Sequence, residues 1–556
     1  MNQHFLTFKW PKPFSIEFWA CLGIAIAVLV RIVHLDTREF WYDEVLSVLL
    51  SSGQKIAFVK PPDVPVPLAD YTQLLSIPAE NSLDDTLKTV ADLLRGIVGG
   101  EPHPPLFYLS QHLWLRWFGN GVAAVRSLNA LFGIGAIAAA YGFGRRLLGH
   151  RPGLLFAALL GLNPFYLNHS LNVRMYAPLV FWGLLSAWAL LEIIGWSAPE
   201  TEKTPRRFQW GWHLVLIGSV CAGCMTFYLF AYWVLALAAL CLYLDRRQWW
   251  QHGIRLGAGV LLTAPWMWWG IPQQLRNADF GRFDAPPGWW AATVRHAQDV
   301  AVCLGSQLVL GDWTTSVPLG ATVAAGMAAI AVVSVALVQL WQWERGDRRR
   351  FGVILLLSVF ILFVGLSADA IGGKFTLGFG WGRSTIYMLP GFLLLFALWL
   401  ERLGPRWRSA IATVILAVYL LLSVGDYAAR SRRSFQQIAD LTVTGTDATT
   451  AIALNSRAWG HVMRLAYYIP PSESVLLLAR DAADLPEALA RAIEADPSRF
   501  DRVLWLDSAA PVWSPPSTPE QNAQIAATLS RHYGLQTRQT VTGTMEMDNF
   551  TLSLYD

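Results

Sequence analysis

The stretch Arg38-Glu39-Phe40-Trp41-Tyr42-Asp43-Glu44-Val45 sets two adjacent carboxylates directly behind a row of aromatic residues. A carboxylate beside a hydroxyl can take its proton as the oxygen attacks. Three later stretches carry further polar groups. His103 precedes Pro104-Pro105-Leu106; proline fixes φ and blocks helix before it, so the imidazole stands at a rigid turn. Arg174 and Tyr176 close the stretch Asn168-His169-Ser170-Leu171-Asn172-Val173-Arg174-Met175-Tyr176. Lys374 and Arg383 sit in a glycine-rich run from Gly372 to Arg383. Such cations can hold a phosphate or carboxylate. Each group also has a plainer reading. Asp43 is then a helix cap beside an aromatic anchor, His103 a structural turn residue, Arg174 a snorkelling cation at a span end, and Lys374 and Arg383 ordinary interfacial cations.

The elements that position these groups are set by composition. Of 556 residues, 54% are hydrophobic and only 15% charged, and mean hydropathy is +0.37. A soluble chain carries roughly 25% charge, so a large soluble enzyme is excluded, and so is disorder. The 27 Trp fit membrane interfaces. Five cysteines are too few for a disulfide framework. Cys221 and Cys224 lie in an apolar run without a second ligand pair and read as packing residues. A net charge of +4 gives no reason to invoke nucleic acid.

A membrane span needs about 20 apolar residues. The runs 17–33, 123–144, 153–168, 175–195, 211–227, 228–244, 254–271, 316–341, 351–371, 385–400 and 408–426 predict eleven spans, rising to thirteen if half-spans are hidden. The run 106–118 is too short to cross, carries His112 and Arg116, and predicts an interfacial helix. Residues 45–50 predict another, with Asp43 near its N-terminus. The positive-inside rule then orients the chain. With Lys9 and Lys12 in the cytoplasm, the connections Arg145 to Arg151, Lys203 to Arg207, Asp245 to Arg247, Arg345 to Arg350 and Arg402 to Arg408 all fall inside, and all are basic. Residues 34–122, 168–174, 272–315, 372–384 and everything beyond about 428 fall outside. Within 272–315 no spacing singles out one polar residue.

The predicted architecture is a membrane domain over 1–429 and a soluble extracytoplasmic α/β domain over 430–556. The tail holds 11 Arg and no Lys against 14 Asp and Glu, a net of −3. Its runs predict buried strands at 451–454, 475–478 and 503–506, helices at 485–495 and 520–532, and a closing hairpin from 537–543 and 545–555. No glycine fingerprint follows any strand, so nucleotide binding is not supported. There is no Walker loop, no HExxH and no GxSxG. Ionisable residues within spans are few and no internal repeat is visible, which argues against a secondary transporter.

The order of motifs resembles a known family. An acidic pair (Trp41-Tyr42-Asp43-Glu44) is followed by His103-Pro104-Pro105-Leu106-Phe107-Tyr108, Val125-Arg126-Ser127, Gly144-Arg145-Arg146-Leu147-Leu148-Gly149, Asn163-Pro164-Phe165 and Arg174-Met175-Tyr176-Ala177. This resembles the bacterial C-type (GT-C) membrane glycosyltransferases, the superfamily of protein O-mannosyltransferases and the lipid A aminoarabinose transferase, and within it the family 39-like members. The resemblance is good over residues 17–200 and loose over 350–430. It implies transfer of a sugar from a polyprenyl-phosphate carrier to a lipid, glycan or protein acceptor, on the outer face of the bacterial inner membrane and with inversion. Asp43 would be the general base and Glu44 its support. His103, Arg174 and Tyr176 would line the same cavity, and Lys374 and Arg383 would grip the carrier phosphate. A divalent metal, if used, would sit on Asp43, Glu44 and His103. Family members commonly carry an acid two residues before the Arg of Arg-Met-Tyr; here Asn172 leaves such a site one charge short. The competing readings are a lipid-linked saccharide flippase, a polysaccharide ligase and a scaffold acting through its tail. The transferase reading places Asp43, His103, Arg174 and Arg383 in one outward-facing cavity.

Overall fold

The structure is a computed structural model. It describes residues 15–33, 35–196, 209–277, 281–284, 286–345, 348–430, 433–443, 448–543 and 545–556. The cytoplasmic cations expected at Lys9, Lys12 and Lys203 to Arg207 lie outside these residues.

The apolar runs fold as helices. Among the described residues six are long and apolar enough to cross a membrane: Val122–Leu148, Tyr176–Ile194, Leu319–Trp343, Arg349–Gly372, Arg383–Arg402 and the one beginning at Pro405. Three shorter apolar helices accompany them, Ile16–Val30, Trp210–Cys224 and Phe230–Leu244. Three runs predicted as single spans are each broken; that over 351–371 kinks at Ser358, between Arg349–Leu357 and Val359–Gly372. Over 153–168 the chain forms His150–Leu162 and then Pro164–Leu171. Asn163 ends the first helix, and its side-chain oxygen accepts from the Tyr166 N–H at 2.9 Å to cap the second. Pro164, which has no N–H to lose, opens that second helix. Over 254–271 the helices Trp249–Leu261 and Ala264–Asn277 meet at Leu262-Thr263, with Pro265 in the new first turn. Hydropathy alone does not register such breaks, because the flanking residues stay apolar.

The first outer segment holds the helices Tyr42–Ser51, Leu83–Val98 and Leu106–Phe118. The last spans the residues read as interfacial; its 13 residues make about 20 Å of helix, short of a bilayer core.

The tail's five strands and one from the first outer segment build a six-stranded sheet. In chain order they are β1 (Val66–Pro67), β2 (Thr450–Leu454), β3 (Val475–Ala479), β4 (Arg502–Ser508), β5 (Leu535–Val541) and β6 (Phe550–Tyr555), and the spatial order is β1-β3-β2-β4-β6-β5. The pairs β2–β3 and β2–β4 are parallel; β1–β3, β4–β6 and β5–β6 are antiparallel. The helices Trp459–Tyr468, Leu485–Ala495 and Pro519–Ser530 cover the sheet. Strand β1 comes from the first outer segment, not from the tail, so the two share a sheet. They also share a core: Ile452, Leu454, Val462 and Leu465 belong to the same buried apolar cluster as Val48, Leu49 and Tyr108. A second cluster, with Leu489, Ile493, Trp505 and Leu529, fills the other face.

Candidate active site

Helix Val122–Leu148 sets the frame. Its Arg126 is buried and donates to three carbonyls of the preceding stretch: Leu35 at 2.9 Å, Arg38 at 2.8 Å and Glu39 at 2.9 Å. It also forks onto Glu44, with Nε to Oε1 at 2.8 Å and Nη2 to Oε2 at 2.6 Å. Glu44, fully buried, accepts in addition from the Val173 N–H at 2.9 Å and the Trp41 N–H at 2.9 Å. Its two oxygens thus take four donors, and the bond to Trp41 is half of a capping box for helix Tyr42–Ser51. One helical turn on from Arg126, Asn129 donates to the Arg174 carbonyl at 2.7 Å.

Successive helical residues point about 100° apart. With Glu44 committed to Arg126, Asp43 faces another way, toward two guanidinium groups. Its Oδ2 lies 3.2 Å from Arg383 Nη1 and 4.0 Å from Arg174 Nε. Arg174 also donates to Ser47 Oγ and to the Tyr108 hydroxyl, both at 3.3 Å, and lies 3.7 Å from Glu101 Oε1. Tyr176 lies within electrostatic reach of Arg383, Arg174 and Asp43.

The proline-rich turn brings His103 and Glu101 together. His103 Nδ1 is hydrogen-bonded to the Glu101 carboxylate, and its ring stacks on Phe227 at 5.3 Å. Gln274 pins the turn by donating to the carbonyls of Glu101 at 2.6 Å and His103 at 2.9 Å. Burial alone pushes the Glu101 carboxyl up, but Arg174 and His103 overcome it and hold it at about 2. Burial pushes the His103 imidazole down although Glu101 opposes this. Near neutral pH Glu101 is therefore ionised, and His103 gives up its proton more readily than a free imidazole.

Arg383 reaches Asp43 from an unusual turn. Gly380, Trp381 and Gly382 have φ of +57°, +56° and +84°, and the 3-10 segment Arg383–Met388 follows. A Cβ on Gly380 would lie 2.3 Å from Arg383 Nε, so only glycine lets this arginine fold back. Its guanidinium sits 5.1 Å from the Trp41 ring centroid and 5.4 Å from that of Phe379. Trp41 is held in turn by donating Nε1–H to Met545 Sδ of the tail at 2.8 Å. Arg383, Trp41, His169, Asp312 and Met545 line one cleft. Arg174 Nε and Arg383 Nε are both buried donors without a hydrogen-bond partner among the described residues.

Of the residues singled out in the sequence, Asp43, His103, Arg174, Tyr176 and Arg383 come together. Glu44 is turned away onto Arg126, and Lys374 makes its ion pair with Asp284. Glu101 and Tyr108 join the cluster without having been singled out; the signal available for Glu101 was an acid two residues before the histidine of a proline-rich turn. The residues do not fit a divalent cation. Glu44 has no free lone pair aimed at Asp43, Asp43 faces two positive groups, and Asn172 brings no charge. Among the described residues no group of three His, Cys, Asp or Glu is arranged to hold a metal ion.

In overall structure the chain is similar to the apo crystal structure of ArnT from Cupriavidus metallidurans (14% identity, 96% of this chain and 97% of that one, TM-score 0.48). It is also similar to the same protein bound to undecaprenyl phosphate (14% identity, 96% and 98%, TM-score 0.47). A third similarity is to the oligosaccharyltransferase AglB from Archaeoglobus fulgidus in complex with an inhibitory peptide and a dolichol-phosphate (11% identity, 96% and 74%, TM-score 0.45). No curated protein matches the chain. Residues 102–269 match the model of a family described as dolichyl-phosphate-mannose-protein mannosyltransferase, and this bears out the resemblance to the C-type membrane glycosyltransferases.

Proposed function

We propose that this protein is an integral-membrane glycosyltransferase that moves a sugar from a polyprenyl-phosphate carrier to an acceptor on the extracytoplasmic face. In this reading about eleven spans cross the membrane, the N-terminus is cytoplasmic and the tail lies outside. The observation that carries it is Asp43 between Arg174 and Arg383, each with a buried unpartnered Nε. A phosphate entering here meets two guanidinium groups, the side chains best shaped to hold it. The description of the matched family also names a dolichyl-phosphate sugar.

The step is a single displacement. The acceptor hydroxyl gives its proton to Asp43 as its oxygen bonds to the anomeric carbon, and the bond from that carbon to the phosphate oxygen breaks. The electrons leave on the polyprenyl phosphate, whose charge Arg174 and Arg383 neutralise, and the anomeric configuration inverts. Phosphate and Asp43 compete for Arg383, so donor binding releases the carboxylate for its work as base. Glu101 holds Arg174 in place, and Glu44 with Arg126 holds the helix start from which Asp43 projects.

The test offers membranes containing the protein a panel of polyprenyl-phosphate sugars and follows which is consumed. Asp43→Asn is expected to lower turnover about 10²–10⁴-fold while the purified variant keeps the wild-type melting temperature. Transfer by Asp43→Asn at the wild-type rate would show that another group is the base.

A further inference from the structure

Strands β3, β2 and β4 lie side by side and parallel, and the chain leaves β2 toward one neighbour and later returns to the other side. The helix after β2, Trp459–Tyr468, packs in the large core, while the helices after β3 and β4 pack in the second cluster on the opposite face. Loops leaving β2 and β4 therefore part in opposite directions. Such a switch point, at the carboxyl ends of parallel strands, is where open α/β sheets take ligands.

A groove of about 380 Å³ lies there, within the usual range for ligand pockets. Arg457 comes from the loop after β2 and Trp459 opens the helix that follows it, Trp513 comes from the loop after β4, and Lys55, Phe58 and Lys60 come from the first outer segment, which roofs the groove. Asp481, after β3, is its one acid. Lys55 Nζ stands 4.6 Å from the Trp459 ring centroid and 5.5 Å from that of Phe58. Trp513 is 79% exposed and has φ +63°, a conformation that costs a bulky residue energy and has no packing gain to offset it. Arg457 donates through Nη2 to the Pro61 carbonyl at 2.9 Å, which fixes its guanidinium at the groove, and its Nε is a buried donor without a hydrogen-bond partner among the described residues. Burial and the neighbouring Lys60 push the Lys55 ammonium down, a repulsion that a bound anion relieves.

We propose that this groove binds an anionic saccharide, a glycan carrying phosphate or carboxylate groups. Lys55, Lys60 and Arg457 take the charges and Trp459 and Trp513 take the flat faces of the sugar rings. The assignment of this glycan as the acceptor rests on the transferase reading above. Cations alone would suit any anion; indole faces beside them select one with rings. The absence of a glycine turn after β2 weighs against a nucleotide.

The test is calorimetric titration of the full-length protein in detergent with an oligogalacturonate, a phosphorylated mannan oligosaccharide and neutral maltohexaose. At least one charged saccharide is expected to bind about tenfold or more tightly than the neutral one, with affinity falling as salt rises. Which of the two charged probes binds tells phosphate from carboxylate. Trp513→Ala and Lys60→Gln, both at exposed positions, are each expected to weaken that binding about tenfold. Equal affinity for neutral and charged saccharides, or wild-type affinity in both variants, would overturn the assignment. So would binding to phosphatidylglycerol vesicles with none to free saccharide. The titration needs no donor and no turnover, so Asp43→Asn is expected to bind as the wild type does, and the groove stands or falls apart from catalysis.

Discussion

Asp43 is held between two guanidinium groups, and this sets what each neighbour contributes. Arg383 is the closer and lines the cleft as well, so on the transferase reading its removal is expected to weaken donor binding directly; Arg174 is also bound to Glu101, Ser47 and Tyr108 and serves the shape of the site. His103 gives a pH test. Burial holds its pKa below the ordinary imidazole value of about 6.5, so it takes up its proton only in more acid solution than a free imidazole does. His103→Gln is therefore expected to lower activity without removing any limb of the rate profile at or above about pH 6.5. A limb near 6.5 in the wild type that vanishes in His103→Gln would mean that the histidine is itself the titrating group. The residue types here were legible in the sequence, and their partners were not. Glu101 stood alone in Gly100-Glu101-Pro102, because the arginine that explains it lies on a distant turn. Glu44 looked like the companion of Asp43, since adjacency in sequence does not reveal that a helix start sends the two carboxylates to different partners.

Among elements, the turn before Arg383 is the most exacting. Three consecutive residues with positive φ place the arginine, and a side chain at Gly380 would occupy its path. Gly380→Ala and Arg383→Ala are both expected to raise the KM for the lipid donor, while the melting temperature shifts little. A melting temperature that falls together with activity would point to a general folding defect. Helices and tail strands were largely legible, because period-3.6 and buried-strand patterns are properties of local sequence. The strand 475–478 and the helix 485–495 stand where the pattern put them. The break at Asn163-Pro164 was visible as residue types but submerged by the apolar run around it. Strand β1, two residues with a proline, has no local signal; only its partner β3 makes it a strand.

At the scale of the whole molecule, the tail clamps the stretch that carries Asp43. Glu39 accepts from Ser434 Oγ and the Phe435 N–H, both at 2.7 Å; the Phe40 N–H donates to the Tyr468 hydroxyl at 2.5 Å; Tyr42 packs edge-on to the His461 ring at 5.9 Å. Behind Tyr42, Arg464 forks onto Asp548 at 3.0 and 2.5 Å, all of it buried. Leaving a buried partner unpaired costs about 3–5 kcal/mol. Arg464→Ala is expected to lower both the melting temperature and turnover, although Arg464 is not among the residues around Asp43. Burial would raise the Asp548 carboxyl, but Arg464 and His461 hold it at about 2. A carboxyl depressed in this way stabilises the fold above its ordinary pKa near 4, and that contribution is lost as pH falls toward 2. The melting temperature should drop through this window in the wild type and drop less steeply in Asp548→Asn.

Strand β1 also imposes an order of assembly. Its hydrogen-bonding partner, β3, lies some four hundred residues further along the chain, beyond every membrane helix. A ribosome delivers the first outer segment early and the tail last. Through that interval the edge that β1 will join does not exist, and the segment bearing Asp43 is not yet clamped. The stretch that carries Asp43 is therefore locked in place by the last part of the chain to be made, and a chain cut short before β3 leaves that stretch unclamped.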